Sequence, residues 1–244
     1  MKENKYNDSK FFEKYSQMER SKKGLNGAGE WNTLERMLPD FNGKRVIDLG
    51  CGYGWHCMYA AEHGAAQVVG VDISDRMLKV AEEKSRGLSI EYICSAIEDI
   101  RYPDGAFDVV LSSLAFHYLP DFGRIAKMVN RILTPGGIFV FSAEHPVFTS
   151  QGPQDWYYGP DGEILHFPVD NYFYEGKRNA CFLGEQVIKY HKTMTTYLNG
   201  LLSNGFEIIG FEEPQPTQEM VDTVDGMKDE LRRPMMFIVS ALKK

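Results

Sequence analysis

The sequence contains few cysteines, and it has no long apolar run. Among its 244 residues are four cysteines, Cys51, Cys57, Cys94 and Cys181, which share no metal-ligand spacing, so neither a metal site nor a disulfide framework is indicated. No stretch approaches the 18 consecutive apolar residues of a membrane-spanning helix, and the first ten residues, MKENKYNDSK, lack the apolar core of a signal peptide. The sequence therefore predicts a cytoplasmic protein with no membrane partner and no metal.

Basic residues are also scarce relative to acidic ones. The chain has 27 Lys and Arg against 34 Asp and Glu, which gives a formal net charge of −7. Because phosphate binding requires concentrated positive charge, this balance argues against a nucleic-acid partner. The hydrophobic fraction of 43% is that of an ordinary folded domain, and the length allows one large domain with a cap. We expect a small-molecule substrate and a monomer or homodimer.

The most informative segment is VIDLGCGYG, Val46 to Gly54. An apolar strand ends at an acid, Asp48, and three glycines follow at alternate positions, Gly50, Gly52 and Gly54. Glycines allow the positive φ angles of a tight turn and the close approach of a ligand to the backbone. A second apolar run, VVGVD, ends 18 residues after Gly54 at Asp72, where an acid can bind both hydroxyls of a ribose.

Nicotinamide and flavin domains use a related three-glycine turn, but here the third glycine comes one residue early. In this respect the segment Asp48 to Gly54 resembles the first motif of the class I S-adenosylmethionine-dependent methyltransferases. Three later segments resemble that family in the same order: Val68 to Ser74, Gly105 to Tyr118, and Ile132 to Phe139. The resemblance is to the small-molecule enzymes, similar to those of the ubiquinone and biotin pathways.

This resemblance implies transfer of a methyl group from S-adenosylmethionine to an O, N or C atom of an unidentified small molecule, with S-adenosylhomocysteine as product. Two alternatives are a nicotinamide-dependent oxidoreductase on a Rossmann-type sheet and a non-catalytic S-adenosylmethionine-binding protein. The box Leu111-Ser112-Ser113-Leu114 differs from the Asn/Asp-Pro-Pro-aromatic box of amino-adenine methyltransferases. Nucleic acid is therefore also disfavoured as a substrate by the motif.

The predicted fold is α/β, a doubly wound Rossmann-like sheet of about seven strands with the last strand antiparallel. Continuous apolar runs predict buried strands covered by helices on both faces. The predicted organisation is amino-terminal helices over the cofactor site at 1–40, a methyltransferase core at 41–145 and 190–244, and a substrate cap inserted after the fifth strand at 146–189. The predicted strands are Arg45–Leu49, Gln67–Asp72, Ser89–Cys94, Phe107–Ser112, Gly137–Ala143, Phe206–Phe211 and Met235–Ala241. The predicted helices are Ser9–Glu19, Glu30–Leu38, Trp55–His63, Asp75–Ser85, Phe122–Leu133 and Thr193–Ser203.

The stretch from Pro146 to Lys189 is rich in turn residues and carries nine aromatic residues. A structureless loop of this length is unusual in a compact domain, so a cap with short strands is expected. Its aromatics either form a minor core or line a substrate pocket, and both can hold at once. The candidate substrate residues in and beside it are Glu144, Trp156, Tyr172, Tyr174, Arg178, Tyr190 and His191.

The resemblance also implies cofactor contacts. Asp48 would meet the ammonium group of the methionine part, Asp72 the ribose, and Ile73 one face of the adenine. At the place where the family has an acid for the adenine amino group, this chain has Ser95, which leaves Ser95, Glu98 and Asp99 open for that contact. The predicted cofactor residues are Asp48, Gly50, Gly52, Gly54, Asp72, Ile73, Ser95, Ala96, Ile97, Ser112, Leu114 and Tyr15.

Two further groups of residues have alternative interpretations. The amino-terminal helix either folds over the cofactor through Tyr15 and Arg20 or packs elsewhere. His145, directly after the fifth strand, is the first candidate for a general base or substrate ligand. His117 is the second candidate, and a structural role satisfied by local hydrogen bonds is the alternative.

Overall fold

The computed structural model describes residues 4–244, and its centre is a seven-stranded mixed sheet. In chain order its strands are β1 (Arg45–Leu49), β2 (Gln67–Asp72), β3 (Ile90–Cys94), β4 (Phe107–Ser113), β5 (Leu133–Glu144), β10 (Phe206–Glu212) and β11 (Met236–Lys243). Four further strands lie between β5 and β10 and form two separate hairpins. These are β6 (Tyr157–Tyr158) with β7 (Ile164–His166), and β8 (Gly176–Phe182) with β9 (Glu185–His191). The strand order across the sheet is β10-β11-β5-β4-β1-β2-β3.

Strands β1 to β5 run parallel, and β11 is antiparallel to both β5 and β10. The predicted Rossmann-like fold with an antiparallel last strand is therefore confirmed. Two predicted strands, β1 and β2, agree residue for residue with the structure. Strand β5 begins four residues earlier than predicted because Leu133 already pairs with Phe107, across an irregularity in the register.

The helices are α1 (Ser9–Ser16), α2 (Glu19–Lys23), α3 (Trp31–Met37), α4 (Trp55–Glu62), α5 (Asp75–Lys84), α6 (Phe122–Ile132), α7 (Pro146–Thr149), α8 (Met194–Leu202), α9 (Gln218–Thr223) and α10 (Met227–Glu230). The predicted helix Ser9–Glu19 is wrong in its length, because two serine hydroxyls cap carbonyls at its end. Ser16 Oγ donates to the Glu13 carbonyl, and Ser21 Oγ donates to that of Tyr15. Helices α2, α7, α9 and α10 were not predicted.

The sheet separates two apolar cores because neighbouring residues of each strand face opposite sides. In β4, Val110 lies in the larger core, which contains α6 and α8, whereas Val109 lies in the core that contains α3, α4 and α5. Each α/β crossover returns to the same edge of the sheet. The carboxyl ends of β1, β2, β4 and β5 therefore open onto one common region.

Within residues 4–244 no helix has the length and apolar character needed to cross a membrane.

Candidate active site

The turn after β1 adopts the conformation that its glycines predicted. Gly50, Gly52 and Gly54 have φ angles of 82°, 54° and 75°. The amides of Gly50 and Cys51 donate to the Val71 carbonyl at 2.7 and 3.0 Å, which joins the turn to β2. A Cβ atom on Gly50 would lie 2.6 Å from the Ala115 Cβ and 3.7 Å from Ile97 Cδ1. The turn therefore packs directly against the loops that leave β3 and β4.

Gly54 has to be a glycine because the side chain of Tyr92 in β3 packs directly against its Cα atom. A Cβ on Gly54 would lie 2.4 Å from the Tyr92 hydroxyl oxygen. We expect Gly54→Ala to lower the free energy of unfolding by about 2–4 kcal/mol, from positive-φ strain together with this contact. Gly87→Ala is the matched control, because Gly87 has a φ of 92° and no atom within 4 Å of the added Cβ. Thermal unfolding measures both.

The double variant Gly54→Ala/Tyr92→Phe removes the hydroxyl that causes the clash. The loss in the free energy of unfolding should then approach the loss caused by Gly87→Ala. The positive φ angle remains strained in both variants, and the contact with the hydroxyl is gone. A double variant as unstable as Gly54→Ala alone would contradict this explanation.

Asp48 is a buried carboxyl group without a full set of partners. Its side chain is 1% exposed, its Oδ1 atom has no hydrogen-bond partner, and its Oδ2 atom lies 3.7 Å from Cys57 Sγ and 4.0 Å from His56 Nδ1. Burial raises the pKa of Asp48 to about 7, and the nearby Asp72 carboxylate adds to this effect. An unpaired buried acid is costly for the folded chain, and a cationic group would satisfy it.

Asp72 ends β2 and connects the glycine turn to the start of α5. Its Oδ2 atom accepts from the Gly52 amide at 2.9 Å, and its Oδ1 atom accepts from the Ser74 amide at 2.8 Å. Burial raises the pKa of Asp72, although these backbone donors oppose the shift. Each carboxylate oxygen keeps a second lone pair with which to accept from a ligand.

The other predicted cofactor residues lie along the same edge. The Ser95 amide donates to the Asp72 carbonyl at 2.9 Å, and Ala96 leads into a 3-10 turn that begins at the buried Ile97. Ser112 Oγ donates to the Leu49 carbonyl at 2.7 Å, and Leu114 has a φ of 53°. These residues are brought together as predicted, whereas their contacts with a cofactor stay a prediction.

The amino-terminal segment lies over this edge and is tied to it by hydrogen bonds. Asn4 Nδ2 donates to the Ile73 carbonyl at 2.8 Å, and Ser74 Oγ donates to Asn7 Oδ1 at 2.6 Å. The segment therefore lies against the residues that follow Asp72, and its cover of a bound cofactor stays a prediction.

Four tyrosines continue this cover from the glycine turn to the loop after β4. The ring of Tyr15 packs edge-on against Tyr53 of the turn, with centroids 5.7 Å apart, and against Tyr6 at 5.2 Å. The hydroxyls of Tyr6 and Tyr118 are 3.2 Å apart. Tyr15 was a sequence candidate, but Tyr6 was not, because nothing in its local sequence distinguishes it.

Arg20, which is partly exposed, forms an ion pair with the buried Glu30 beside the same edge. Arg20 Nη2 lies 2.6 Å from Glu30 Oε1. The same oxygen accepts a hydrogen bond from Ser113 Oγ at 3.4 Å. Burial opposes ionisation of Glu30, but Arg20 holds the pKa of this carboxyl group below its usual value. Glu30 was predicted only as the beginning of a helix, and its role as a buried partner for Arg20 is new.

At the end of β5 a second polar cluster surrounds Glu144. Its Oε1 atom accepts from Lys189 Nζ at 2.5 Å, and its Oε2 atom accepts from Gln154 Nε2 at 2.8 Å. His117 Nε2 lies 3.8 Å from Glu144 Oε1. Burial acts to raise the pKa of Glu144, but the Lys189 ammonium group and the hydrogen bond from Gln154 hold it below its usual value. Burial lowers the pKa of His117 to about 3, so this imidazole is neutral.

Sequence reasoning missed the lysines of this cluster. Lys189 lies between Val187 and His191 on the inward face of β9, and this alternation was the available signal. Lys192 is also buried, and its ammonium group donates to the carbonyls of Phe116 and Tyr190 at 3.2 and 3.1 Å. Burial lowers the pKa of Lys192 to about 8. These lysines join the β8–β9 hairpin to the loop that carries His117.

His145 does not have the surroundings expected of a general base. Its Nδ1 atom accepts from the Val147 amide at 3.0 Å, which caps α7, and its Nε2 atom lies 3.0 Å from Glu213 Oε1. Both ring nitrogens are therefore engaged, and burial lowers the pKa of His145 to about 4. In the structure His145 caps α7, and its role as a general base or substrate ligand stays a prediction.

Two further substrate candidates have their polar atoms occupied within the protein. His191 Nδ1 lies 2.8 Å from Thr149 Oγ1, and its Nε2 lies 2.8 Å from the Tyr172 carbonyl oxygen. Arg178 donates to backbone carbonyls, with Nε 2.9 Å from that of Ser150. Both residues therefore hold the 146–191 segment together through hydrogen bonds. A substrate contact from either residue would require these bonds to change.

The aromatic residues of 146–191 divide into two sets. Phe148, Trp156 and Phe167 surround the guanidinium group of Arg233, with ring centroids 4.6 to 5.1 Å from its central carbon. Tyr174, in contrast, is 75% exposed. The first set fits the interpretation of a minor core, and the structure does not bring Trp156 or Tyr174 to Glu144. The predicted end of the insertion at residue 189 falls inside β9, so the hairpin extends to His191.

A Rossmann-like sheet, a three-glycine turn after its first strand and acids at the ends of the first two strands define a nucleotide-cofactor enzyme of the methyltransferase type. Comparison with known proteins agrees. Residues 47–141 match the model of the methyltransferase domain family.

Three proteins are similar over nearly the whole chain. A solved structure from Listeria monocytogenes, provisionally described as an S-adenosylmethionine-dependent methyltransferase, is 54% identical with a TM-score of 0.86, over 91% of this chain and 99% of that one. An S-adenosylmethionine-dependent methyltransferase from Mesorhizobium loti is 40% identical with a TM-score of 0.83, over 90% and 100%. An uncharacterised Haemophilus influenzae protein is 32% identical over 98% of this chain and 96% of its own.

The chain therefore belongs to the class I S-adenosylmethionine-dependent methyltransferases, and S-adenosylmethionine is its cofactor. The nicotinamide-dependent alternative is wrong. Curated enzymes with a named substrate match over a shorter part. The ubiquinone biosynthesis O-methyltransferase of Chromobacterium violaceum is 38% identical over 41% of this chain and 44% of its own length.

Proposed function

We propose that this enzyme methylates an O, N or C atom of a small molecule bound between the glycine turn and the 146–191 segment. The observation that carries this proposal is the partly buried cluster of Glu144, Lys189 and Gln154 at the end of β5, to which the β8–β9 hairpin contributes Lys189. The amino-terminal segment on one side and this hairpin on the other favour a small acceptor over a polymer. We further propose a cytoplasmic protein, a monomer or homodimer, that does not bind nucleic acid.

The residues at the sheet edge fit the known parts of the cofactor. Asp48, with its unpartnered Oδ1 atom, would hold the ammonium group, and Asp72 would accept from the ribose hydroxyls. The adenine would lie against Ile73, Ala96 and Ile97, and the methionine part over Gly50, Gly52, Gly54, Ser112 and Leu114. The bound cofactor supplies a methyl group already activated by a positively charged sulfur. The chain's own residues therefore have to orient the acceptor and exclude water.

Exclusion of water is the task of the tyrosine cover. Tyr6 and Tyr118 are joined through their hydroxyls, and Tyr15 packs between Tyr6 and Tyr53. This cover and the polar cluster at Glu144 adjoin through Tyr118, which follows His117 in the chain. An enclosed site of this kind favours catalysis over a role limited to cofactor binding.

Ligand binding and turnover test the proposal together. S-adenosylhomocysteine at about 100 times its Kd should stabilise the fold by about 2.7 kcal/mol, which raises the Tm by several degrees, because it binds only the native state. NADH is the control and should leave the Tm unchanged. Turnover with a panel of metabolites, scored by release of S-adenosylhomocysteine, then identifies the acceptor. Ligand binding without turnover of any metabolite would favour the non-catalytic alternative.

A further inference from the structure

The imidazole of His117 has one ring nitrogen without a partner. The side chain is 3% exposed, and its Nδ1 atom is buried with no hydrogen-bond partner. A buried polar atom of this kind loses its hydration without compensation, so native proteins rarely retain one unless it has a function.

The other ring nitrogen faces a carboxylate that is held in place. Glu144 is fixed from both sides, since Lys189 bonds to its Oε1 atom and Gln154 to its Oε2 atom. Lys189 Nζ also donates to Gln154 Oε1 at 2.8 Å, which closes the three side chains into a ring. The negative oxygen that lies 3.8 Å from His117 Nε2 favours a proton on Nε2. A neutral imidazole then carries its lone pair on Nδ1.

His117 lies near the residues that we assign to the cofactor. His117 lies in the short turn after β4, and Glu144 ends the neighbouring strand β5. The adjoining Tyr118 reaches the glycine turn through the contacts of Tyr6, Tyr15 and Tyr53 described above. His117 therefore lies at the carboxyl end of the sheet, in a turn that Lys192, next to the β8–β9 hairpin, contacts through the Phe116 carbonyl.

We propose that Nδ1 of His117 is the catalytic group that accepts the hydrogen of the O–H or N–H group to be methylated, and that Glu144 is a positioning residue that keeps the proton of the free imidazole on Nε2. This inference rests on the proposed function and narrows its acceptor to oxygen and nitrogen nucleophiles that carry a hydrogen. The new bond to the methyl carbon uses the acceptor's lone pair, and the electron pair of the broken carbon–sulfur bond stays on sulfur. The acceptor's proton then forms the Nδ1–H bond, and the resulting imidazolium is stabilised by Glu144.

The tautomer of His117 can be measured before any acceptor is known. Long-range ¹H–¹⁵N NMR spectra of the protein saturated with S-adenosylhomocysteine should show His117 protonated on Nε2 and bare on Nδ1. The His117→Asn variant assigns the signal, and the exposed His166 ring, which stacks on Tyr157, serves as an internal reference for a solvent-exposed imidazole. A proton on Nδ1 in the wild-type protein would overturn the proposal, whatever the variants do.

The matched pair Glu144→Gln and Glu207→Gln tests the positioning role. Glu207 is an exposed residue of β10, paired with Lys244. Glu144→Gln should give a mixture of His117 tautomers, and Glu207→Gln should leave the wild-type spectrum. An unchanged tautomer in folded Glu144→Gln would remove Glu144 from the proposal.

The acceptor found by the turnover panel gives the final test. His117→Asn should lower kcat at least 100-fold and change the Kd of S-adenosylhomocysteine less than twofold. Methylation of a carbon atom with unchanged kcat in His117→Asn would refute this inference while the proposed function stands. If no metabolite is methylated, the proposed function itself fails, whereas the NMR result still decides the state of the ring.

Discussion

Asp72→Ala is expected to weaken S-adenosylhomocysteine binding about 10- to 100-fold for each ribose hydrogen bond lost. Hydrogen bonds to a charged acceptor contribute roughly 1.5–3 kcal/mol, and each 1.4 kcal/mol is tenfold in Kd. The variant also loses the bond from the Gly52 amide to Asp72 Oδ2, so the glycine turn becomes less ordered. Asp72→Asn should lose less than Asp72→Ala because its amide oxygen still accepts. Calorimetric titration measures all three proteins.

Asp104→Ala is the matched control for this experiment. The Asp104 side chain is 82% exposed and forms an ion pair with Arg131. Its removal should leave the Kd of S-adenosylhomocysteine unchanged. Circular dichroism confirms that each variant is folded. Wild-type affinity in folded Asp72→Ala would mean that the ribose binds elsewhere, and the assignment of the whole sheet edge would have to be abandoned.

Asp48→Asn should change stability and binding in opposite directions. The substitution removes an unpaired buried charge, so the ligand-free protein should gain about 1–3 kcal/mol in its free energy of unfolding at pH 8. The same substitution should weaken S-adenosylhomocysteine binding about 10- to 100-fold, because the ammonium group loses its charged partner. Urea unfolding and calorimetry give the two quantities.

The raised pKa of Asp48 determines how the stability of the ligand-free protein changes with pH. The pKa of Asp48 is about 7 in the folded chain, above the value of about 3.9 for an unfolded chain, so the native state binds more protons between these values. The stability of the ligand-free wild type should therefore fall as the pH rises from 4 to 7, relative to Asp48→Asn. The difference between the two proteins should grow by up to about 1.4 kcal/mol per pH unit.

Asp108→Asn is the control for Asp48→Asn and should behave in the opposite way. Asp108 is bonded to Arg45 at the beginning of β4, and its pKa is lowered to about 2 by this partner. Removal of its charge should destabilise the protein and leave ligand binding unchanged. Asp48→Asn with wild-type affinity would contradict the assignment of Asp48 to the ammonium group.

The sheet, its glycine turn and the edge that carries Asp48 and Asp72 could be predicted because their signals are local in the sequence. The apolar runs of β1 and β2 and the glycines between them determine both conformation and position, and Asp48 and Asp72 follow from the strand ends. The local sequence also accounts for the start of α5, where the hydroxyl of the capping residue Ser74 accepts from the Met77 amide. Periodicity and turn chemistry act over a few residues, so one sequence is sufficient for them.

The acceptor side could not be predicted, because its contacts join distant segments. Lys189 and Glu144 are 45 residues apart, and Tyr6 and Tyr118 are 112 apart. His145 was preferred over His117 because it directly follows β5, yet helix capping engages its ring. Which of two histidines keeps a free nitrogen depends on neighbours contributed by other segments, and a single sequence does not contain this information.

The amino-terminal cover has a kinetic consequence. Its hydrogen bonds reach the carbonyl of Ile73 and the hydroxyl of Ser74 beside Asp72, where we place the cofactor, and the Tyr118 hydroxyl beside His117, where we place the acceptor. A single segment attached to both sides cannot uncover one without loosening the other. We therefore expect cofactor exchange and product departure to share one opening step, whose rate sets an upper limit on turnover however fast the methyl group is transferred.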